Sequence, residues 1–352
     1  MRDAWDLAQM ALLLLQVDPY GLGGVWLKAG YSPARQIWLK QLQALGLRVM
    51  RMPHHIDQER MLGGIDLSAT LAQGHVVEQI GLLAQADQGV VVVPMSDKLS
   101  AQTLAMLLQA HDQGHVHALT LGNTHPSRFG LVALDESQDD EPGVASKLKE
   151  RLAFWLDIDA VDVAKSQEQL EVLSLSELKE VKSSYQRIQP TEAQMRALCE
   201  VSVALGIESL RAPLLALRLA CVHAAVHGRE SLEDEDLTIA AQMVLSPRAT
   251  RVPANADTHN SPTPDEPRPP DEPSQEQTSS EDDSPPPTSI EPETLEDTIL
   301  AAALASLPPK LLDQLLMGAS QAKPLSSSGN SGQFQTSRQR GRPLSPRLEI
   351  GR

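Results

Sequence analysis

Aromatic side chains are scarce in this chain of 352 residues, since only 3% of them are Phe, Trp or Tyr. Proteins that bind single-stranded nucleic acid stack bases on such rings, so the composition argues against that class. An excess of positive charge is also lacking, because 46 acidic residues outnumber 30 basic ones. A basic surface is the electrostatic footprint of nucleic-acid binding, and the sequence therefore predicts no nucleic-acid partner.

Cysteines are few and long apolar runs are missing. Cys199 and Cys221 lie in apolar helical patterns without C-x-x-C spacing, and we expect both to be buried, reduced thiols. The apolar run from Ala11 to Leu15 is too short to span a bilayer. Asp3 and Asp6 precede it and no small-residue cleavage site follows, which disfavours a signal peptide. These features predict a cytoplasmic protein without a membrane span.

Short apolar strands alternate with helices in the first part of the chain. Val90 to Val93 are four consecutive β-branched residues between Gly89 and Pro94, a pattern typical of a strand buried on both faces in a parallel sheet. Further strands are predicted at 25–27, 47–52, 117–121 and 130–134, and helices at 5–17, 33–45 and 100–113. This alternation predicts a doubly wound α/β core over residues 1–146.

The second part of the chain has a mostly helical pattern. Helices are predicted at 148–154, 166–184, 191–205, 210–227 and 233–245, which implies a helical bundle over residues 147–251. The stretch from Pro253 to Glu296 carries about 12 carboxylates against one arginine. Because it has almost no apolar surface to bury, we expect residues 252–292 to form a disordered linker rich in proline and acid. An isolated helix at 293–318 and a disordered basic tail at 319–352 complete the predicted domains.

The stretch from Asp18 to Leu39 has the order of turn, strand, loop and helix in which a phosphate-binding loop normally lies. In a working loop, G-x-x-x-x-G-K-[ST], the glycines admit backbone N–H groups to the phosphates, the lysine reaches the β and γ phosphates, and the hydroxyl binds Mg²⁺. Here Ala29 and Ala34 replace the glycines, Arg35 replaces the lysine and Gln36 replaces the hydroxyl. Two interpretations of Arg35 stay open: weak pairing with a phosphate, or a salt bridge on the helix surface.

Histidines are grouped at three places in the sequence. One group straddles a helix end and a strand start, one lacks the glutamate of H-E-x-x-H, and one lies in a loop. These groups are His111, His115 and His117; His223 and His227; and His54 and His55. None has the ligand set of a metal site, so no metal ion is predicted.

Five segments carry a resemblance to a known family: GLGGVWLKAG, LGGIDLSATLAQG, GLLAQADQGVVVVP, LKERLAFWLDI and LRAPLLALRLACVHAAVHGR. In this order, and with the acidic linker after them, they resemble the D subunit of magnesium chelatase over residues 1–251. The resemblance implies a degenerate AAA+ core with a helical lid, in a hetero-oligomer with the AAA+ I subunit and the porphyrin-binding H subunit. That complex inserts Mg²⁺, as substrate, into protoporphyrin IX in (bacterio)chlorophyll biosynthesis. ATP or ADP would bind this chain weakly or be hydrolysed only by the partner.

The same resemblance indicates that the catalytic acids are missing. In an active AAA+ motor the second apolar strand of the site ends in Asp-Glu, which hold the Mg²⁺ environment and activate water. Here the strand Val90–Val93 ends in Pro94 and Met95, which can neither bind a cation nor accept a proton. Asp97 lies two residues further on, where a turn would misplace its carboxylate. Together with the altered loop, this predicts no unaided ATP hydrolysis.

The arginines that act on nucleotide in the family are present in this sequence, unlike the loop lysine and the strand acids. Arg151, in LKERLAF, matches the arginine that reaches into an adjacent subunit's site and neutralises charge on the γ-phosphate. Arg211 matches the helical-domain arginine that senses nucleotide, and Arg218 is a weaker companion. The alternatives are surface charges, with Arg151 paired to Glu150 or Asp157.

A complete D subunit continues into an integrin-like domain with a D-x-S-x-S motif, and the present sequence contains no such motif. We expect a chain of this kind to assemble with its AAA+ partner but not to support chelation. Two other functions stay open: a stand-alone ATPase of the chelatase or MoxR type that acts as a chaperone, and an adaptor whose acidic linker binds the partner.

Overall fold

The computed structural model describes residues 4–120, 122–138, 141–159, 161, 172–252 and 294–305. The strands in these ranges are β1 (Gly24–Lys28), β2 (Val49–Arg51), β3 (Gly63–Ile65), β4 (Glu78–Ile80), β5 (Val90–Val93), β6 (His115–His117), β7 (Thr124–Pro126), β8 (Gly130–Asp135) and β9 (Phe154–Asp157). The helices are α1 (Ala4–Val17), α2 (Pro33–Ala44), α3 (Gln58–Leu62), α4 (Leu67–Gln73), α5 (Leu82–Gln85), α6 (Ala101–Gln113), α7 (Ser146–Lys149), α8 (Leu175–Tyr185), α9 (Glu192–Ala204), α10 (Arg211–Val226), α11 (Asp234–Ala240) and α12 (Leu295–Ala305).

A five-stranded sheet organises the first part of the chain. Its strand order is β2-β5-β8-β1-β9, and every neighbouring pair is parallel. Side chains alternate between the two faces of a strand, so Val90 and Val92 pack with α1, α2 and the lid, whereas Val91 and Val93 pack against α6. The predicted α/β core with a parallel sheet is therefore confirmed.

Two antiparallel hairpins interrupt the alternation of strands and helices. β3 pairs with β4, and β6 pairs with β7. The strand predicted at 117–121 is wrong in its bounds, because the chain forms β6 two residues earlier and then turns. Gly114 ends α6 with φ of 69°, and Gly122, with φ of 66°, lies in the turn of the β6–β7 hairpin.

The helix predicted at 148–154 is also wrong. The helix α7 ends at Lys149, and the chain then forms β9, which pairs with β1 as the edge strand of the sheet. Phe154 and Leu156 are its two inward-facing residues, a pattern too short to separate a strand from a helix by periodicity. The predicted boundary between residues 146 and 147 thus falls before the fifth strand of the core.

The helices from α8 to α11 form the lid, with α10 packed against the other three. A capping box begins α8 at Ser174 and another begins α9 at Thr191, and each satisfies amides that a helix start leaves unpaired. These helices match the predictions at 191–205 and 210–227 closely. The predicted helix at 166–184 is described only from residue 172, and α8 begins at Leu175.

The helix predicted to be isolated at 293–318 packs onto the lid in its described part, α12. Ile299 and Ala303 are fully buried, and the Ser246 hydroxyl donates to the Ala303 carbonyl at 2.7 Å. The prediction failed because the acidic stretch before this helix suggested separation, whereas the apolar stripe of α12 fits a groove between α9 and α11. Residues 306–318 lie outside the described ranges.

Other predictions have mixed outcomes. Cys221 is buried, and burial raises its pKa to about 11. Cys199 is exposed on α9, so the expectation that both thiols are buried was wrong for this residue. Apart from Val252, the predicted linker and the basic tail lie outside the described residues. Among the helices described, none is long and apolar enough to cross a membrane.

A buried charge cluster joins two helices of the lid. The Asp236 carboxylate is fully buried and accepts hydrogen bonds from His223 Nδ1 at 2.7 Å, Arg229 Nη1 at 2.7 Å and the Glu233 amide at 2.9 Å. Burial by itself raises the pKa of this carboxyl. The hydrogen bonds and the Arg229 charge outweigh burial, so the pKa of Asp236 lies below its ordinary value.

We expect Asp236→Asn to lower the free energy of unfolding by about 1–3 kcal/mol at pH 7, because His223 and Arg229 would lose a buried carboxylate acceptor, although Arg229 keeps its pairs with two glutamates of the lid. A depressed carboxyl pKa gives stability that is complete above the unfolded pKa of about 4 and is lost as the pH falls through the folded pKa. Urea unfolding at pH 7 and below pH 4 should therefore show the difference between the proteins shrinking in acid. Asp234→Asn, on the exposed side of α11, is the control; an equal effect of both variants would contradict the prediction.

Candidate functional site

Residues that the sequence singled out lie at two opposite edges of the parallel sheet. One edge holds the carboxyl ends of β1, β5 and β8, and ligands of open α/β sheets bind at this end. We name it the pocket edge, and it contains Ala29 to Arg35, Pro94 to Met95 and Asp135 to Glu136. The opposite edge, where β1 and β9 begin, holds Asp112 and the three predicted arginines, and we name it the arginine edge.

The loop of the pocket edge keeps the backbone order of a phosphate-binding loop. Ser32 caps α2 by accepting a hydrogen bond from the Arg35 amide, and Pro33 is the first helical residue. Two amides at the start of this loop have acceptors within the protein. The Ala29 amide donates to the Asp135 carbonyl at 3.2 Å, and the Gly30 amide donates to the Asp159 carboxylate at 2.5 Å.

Arg35, at the lysine position, is turned back into the protein. Its Nη1 atom lies 3.1 Å from Glu136 Oε1 and donates to the Ala29 carbonyl at 3.2 Å. The Arg35 side chain is 11% exposed. The expected salt bridge is therefore present, but it is buried in the pocket edge rather than placed on the helix surface. Glu136 therefore competes with a phosphate for this guanidinium.

No acidic residue directly follows the strand β5 at the pocket edge. Pro94 and Met95 follow it, and Met95 adopts φ of 47° with its thioether side chain partly exposed. Asp97 is buried in the following turn, where Lys98 Nζ lies 3.3 Å from its carboxylate. Ser96 in the same turn donates to the Leu134 carbonyl at 2.7 Å. Proline and methionine can neither activate water nor hold Mg²⁺.

Sequence reasoning missed the two acids at the carboxyl end of β8, of which Asp135 is the last strand residue and Glu136 follows it. Besides Glu136, Asp135 is buried and accepts from Trp26 Nε1 at 2.9 Å and from the Ser137 hydroxyl at 2.6 Å. Burial raises the pKa of Asp135, but these hydrogen bonds outweigh it, and the pKa lies below its ordinary value. The signal available was a pair of carboxylates directly after an apolar run, GLVALDE.

At the arginine edge, Asp112 brings Arg151 and Arg211 together. Arg151 donates from Nε and Nη2 to the two Asp112 oxygens at 2.9 and 2.5 Å, and from Nη1 to the Lys147 carbonyl at 2.6 Å. Arg211 Nη2 lies 3.4 Å from Asp112 Oδ1. Arg151 therefore pairs with Asp112, and not with the two acids weighed from the sequence. Burial raises the pKa of Asp112, but hydrogen bonding to Arg151 and the charges of both arginines outweigh it, so that pKa is lowered.

A glycine lets the Arg151 segment pack against the start of β1. Gly23 has φ of 72°, and a Cβ atom there would lie 1.9 Å from the Arg151 carbonyl oxygen. The same turn is tied to the lid, because Arg218 Nη1 donates to the Gly21 carbonyl at 2.9 Å. His111 Nε2 lies 3.2 Å from the Gly23 carbonyl, and burial lowers the pKa of this imidazole. Two arginines, Arg151 and Arg211, thus share one aspartate at this edge.

The histidines serve structural contacts. His111 packs under the turn before β1, and His223 belongs to the lid cluster around Asp236. In the part of the chain that the structure describes, no group of three or more His, Cys, Asp or Glu side chains is arranged to hold a metal ion.

Comparison with known proteins points to one family. Residues 195–277 match a family model described as an AAA lid domain. The magnesium-chelatase 60 kDa subunit of Cereibacter sphaeroides is 34% identical over 98% of this chain and 57% of its own length. The 67 kDa subunit of Chlorobaculum tepidum is 29% identical over 74% of this chain and 45% of its own length. The chain thus spans about half the length of these relatives.

Two further similarities concern the AAA+ part. The magnesium-chelatase 38 kDa subunit of Rhodobacter capsulatus is 25% identical over 70% of this chain and 85% of its own length. The crystal structure of a candidate ATPase from Cytophaga hutchinsonii superposes with a TM-score of 0.53 at 15% identity, over 67% of this chain and 80% of that one. That structure supports the fold alone. Over its AAA+ core and lid, the chain is similar to the 60 and 67 kDa subunits of magnesium chelatase.

Proposed function

We propose that this chain is a non-hydrolysing, cytoplasmic AAA+ subunit of magnesium chelatase. It assembles with the ATP-hydrolysing I subunit and the porphyrin-binding H subunit, and the complex inserts Mg²⁺ into protoporphyrin IX in (bacterio)chlorophyll biosynthesis. Similarity to the 60 and 67 kDa subunits supports the complex. The observation that carries the non-hydrolysing role is the buried ion pair of Arg35 and Glu136 at the lysine position of the loop.

The chemistry of the pocket edge supports this role. Hydrolysis of ATP needs a cation on the β and γ phosphates, a hydroxyl and an acid for Mg²⁺, and a base for water. The pocket edge offers a guanidinium already neutralised by Glu136, and proline and methionine in place of the acids. A nucleotide phosphate here competes with Glu136 for Arg35. Binding of ATP or ADP to this chain is therefore weak, and the pocket edge has a structural rather than a catalytic role in the assembly.

The arginine edge acts on a nucleotide that a neighbouring subunit holds. Because it lies opposite the pocket edge, Arg151 and Arg211 face away from the chain's own loop. In a ring, this edge meets the nucleotide of a neighbouring I subunit. There Arg151 neutralises the charge that develops on the γ-phosphate, as arginine fingers do in other phosphoryl-transfer sites. Arg211 acts at the same neighbouring nucleotide and links it to the lid.

The first test concerns hydrolysis. We expect the isolated chain not to hydrolyse saturating ATP, and Glu136→Gln to bind ATP about tenfold more tightly, or 1.4 kcal/mol, because Arg35 gains a free guanidinium. Isothermal titration calorimetry and a phosphate-release assay measure both effects. Glu200→Gln, which removes an exposed carboxylate of α9, is the control with the same change of charge. Turnover that Arg35→Ala abolishes would favour the stand-alone ATPase instead.

The second test concerns the arginine edge. We expect Arg151→Ala to reduce at least tenfold the change that this chain causes in the ATP hydrolysis rate of the I subunit, because the γ-phosphate loses a cation in trans. Sedimentation of the mixed assembly shows whether the variant still binds the I subunit. Arg196→Ala, which removes an exposed arginine paired to Glu192, is the matched control. An Arg151→Ala chain that assembles and acts like the wild type would contradict the assigned role.

A further inference from the structure

Asp112 occupies the hydrogen-bond donors with which Arg151 would bind a phosphate. A carboxylate accepts two parallel N–H bonds from a guanidinium, and a phosphate accepts the same pair. In this structure Nε and Nη2 of Arg151 both donate to Asp112, while Nη1 donates to the Lys147 carbonyl. Three of the five N–H donors of the guanidinium therefore have acceptors, among them both donors of the Nε–Nη2 fork. Arg151 cannot bind a phosphate through this fork without giving up Asp112.

The exchange is accessible because the cluster lies at the surface. The side chains of Asp112, Arg151 and Arg211 are 32%, 16% and 49% exposed. An anion arriving from a neighbouring molecule can therefore reach the arginine edge, where two guanidiniums share a single carboxylate.

We propose that Asp112 is a positioning residue that holds Arg151 and Arg211 as a preformed fork and releases them to the terminal phosphate of a nucleotide held by a neighbouring subunit. The identity of that neighbour rests on the proposed function. The counter-ion keeps both arginines ordered in the free chain, so less side-chain entropy is lost when phosphate binds. It also competes with phosphate, which makes the arginine edge respond only to an anion that the neighbour presents.

The same exchange connects the nucleotide to the lid. Asp112 ends a helix of the core, and Arg211 begins α10, the central helix of the lid. Their ion pair joins the two domains. When phosphate replaces Asp112, Arg211 links the lid to the neighbour's nucleotide, while Arg218 still holds the lid to the core through the Gly21 carbonyl.

Binding of inorganic pyrophosphate to the isolated chain tests the competition directly. We expect Asp112→Asn to bind pyrophosphate at least tenfold more tightly than the wild type, and Asp112→Asn with Arg151→Ala to lose that gain. Asp112→Glu, which keeps the carboxylate, should return to wild-type affinity. Glu192→Gln changes the net charge equally at an exposed Arg196 pair and should leave affinity unchanged. Thermal unfolding verifies that each variant folds.

Equal pyrophosphate affinity of folded Asp112→Asn and wild type would overturn the proposal, as would a gain that persists without Arg151. In the mixed assembly with the I subunit, we expect Asp112→Asn to lower the KM for ATP at least threefold, whereas loss of a merely structural contact would raise it. A tighter pyrophosphate site combined with no binding to the I subunit would leave the role of Asp112 standing and refute the proposed function.

Discussion

The parallel pairing of β1 with β8 and β9 is the constraint on which both edges depend. At its carboxyl end, this pairing sets the loop beside the acids at the carboxyl end of β8, and the Ala29 amide binds the Asp135 carbonyl. At its amino end, the Leu131 amide binds the Gly23 carbonyl and the Ala153 amide binds the Leu22 carbonyl. A shift of one residue in this register would turn the side chains to the wrong faces and separate the pairs at both edges.

Charge neutralisation follows from that geometry, with different results at the two edges. A buried guanidinium without a partner costs several kcal/mol, so Arg35 requires Glu136. The arginine edge differs in composition, because Asp112 is shared by Arg151 and Arg211, and the 49% exposed Arg211 side chain leaves its pair open to water and other anions. One carboxylate therefore serves one guanidinium at the pocket edge and two at the arginine edge.

The long, strongly patterned elements were predictable. The strand Val90–Val93 could be recognised because burial on both faces of a parallel sheet demands a continuous apolar run. The helix α2 could be recognised because Pro33 and the Ser32 cap mark its start. The strand β9 could not be recognised, since its four residues follow a single helical turn and are too few to separate the two-residue repeat of a strand from the repeat of a helix. The docking of α12 depends on a groove that exists only when the lid helices have packed.

The amino-acid sequence by itself determined which side chains stand at the nucleotide-binding positions. The sequence alone shows that Arg35 and Gln36 replace the lysine and hydroxyl of a working loop, and that Pro94 and Met95 follow the strand. The partner of each arginine, however, is not revealed by spacing. Asp112 stands 39 residues before Arg151 and belongs to α6, whereas Arg151 lies between α7 and β9, and the two meet because the sheet brings the end of α6 to the start of β9. Ion pairs form through space, where direction and desolvation set their strength, and neither quantity can be obtained from the order of the residues.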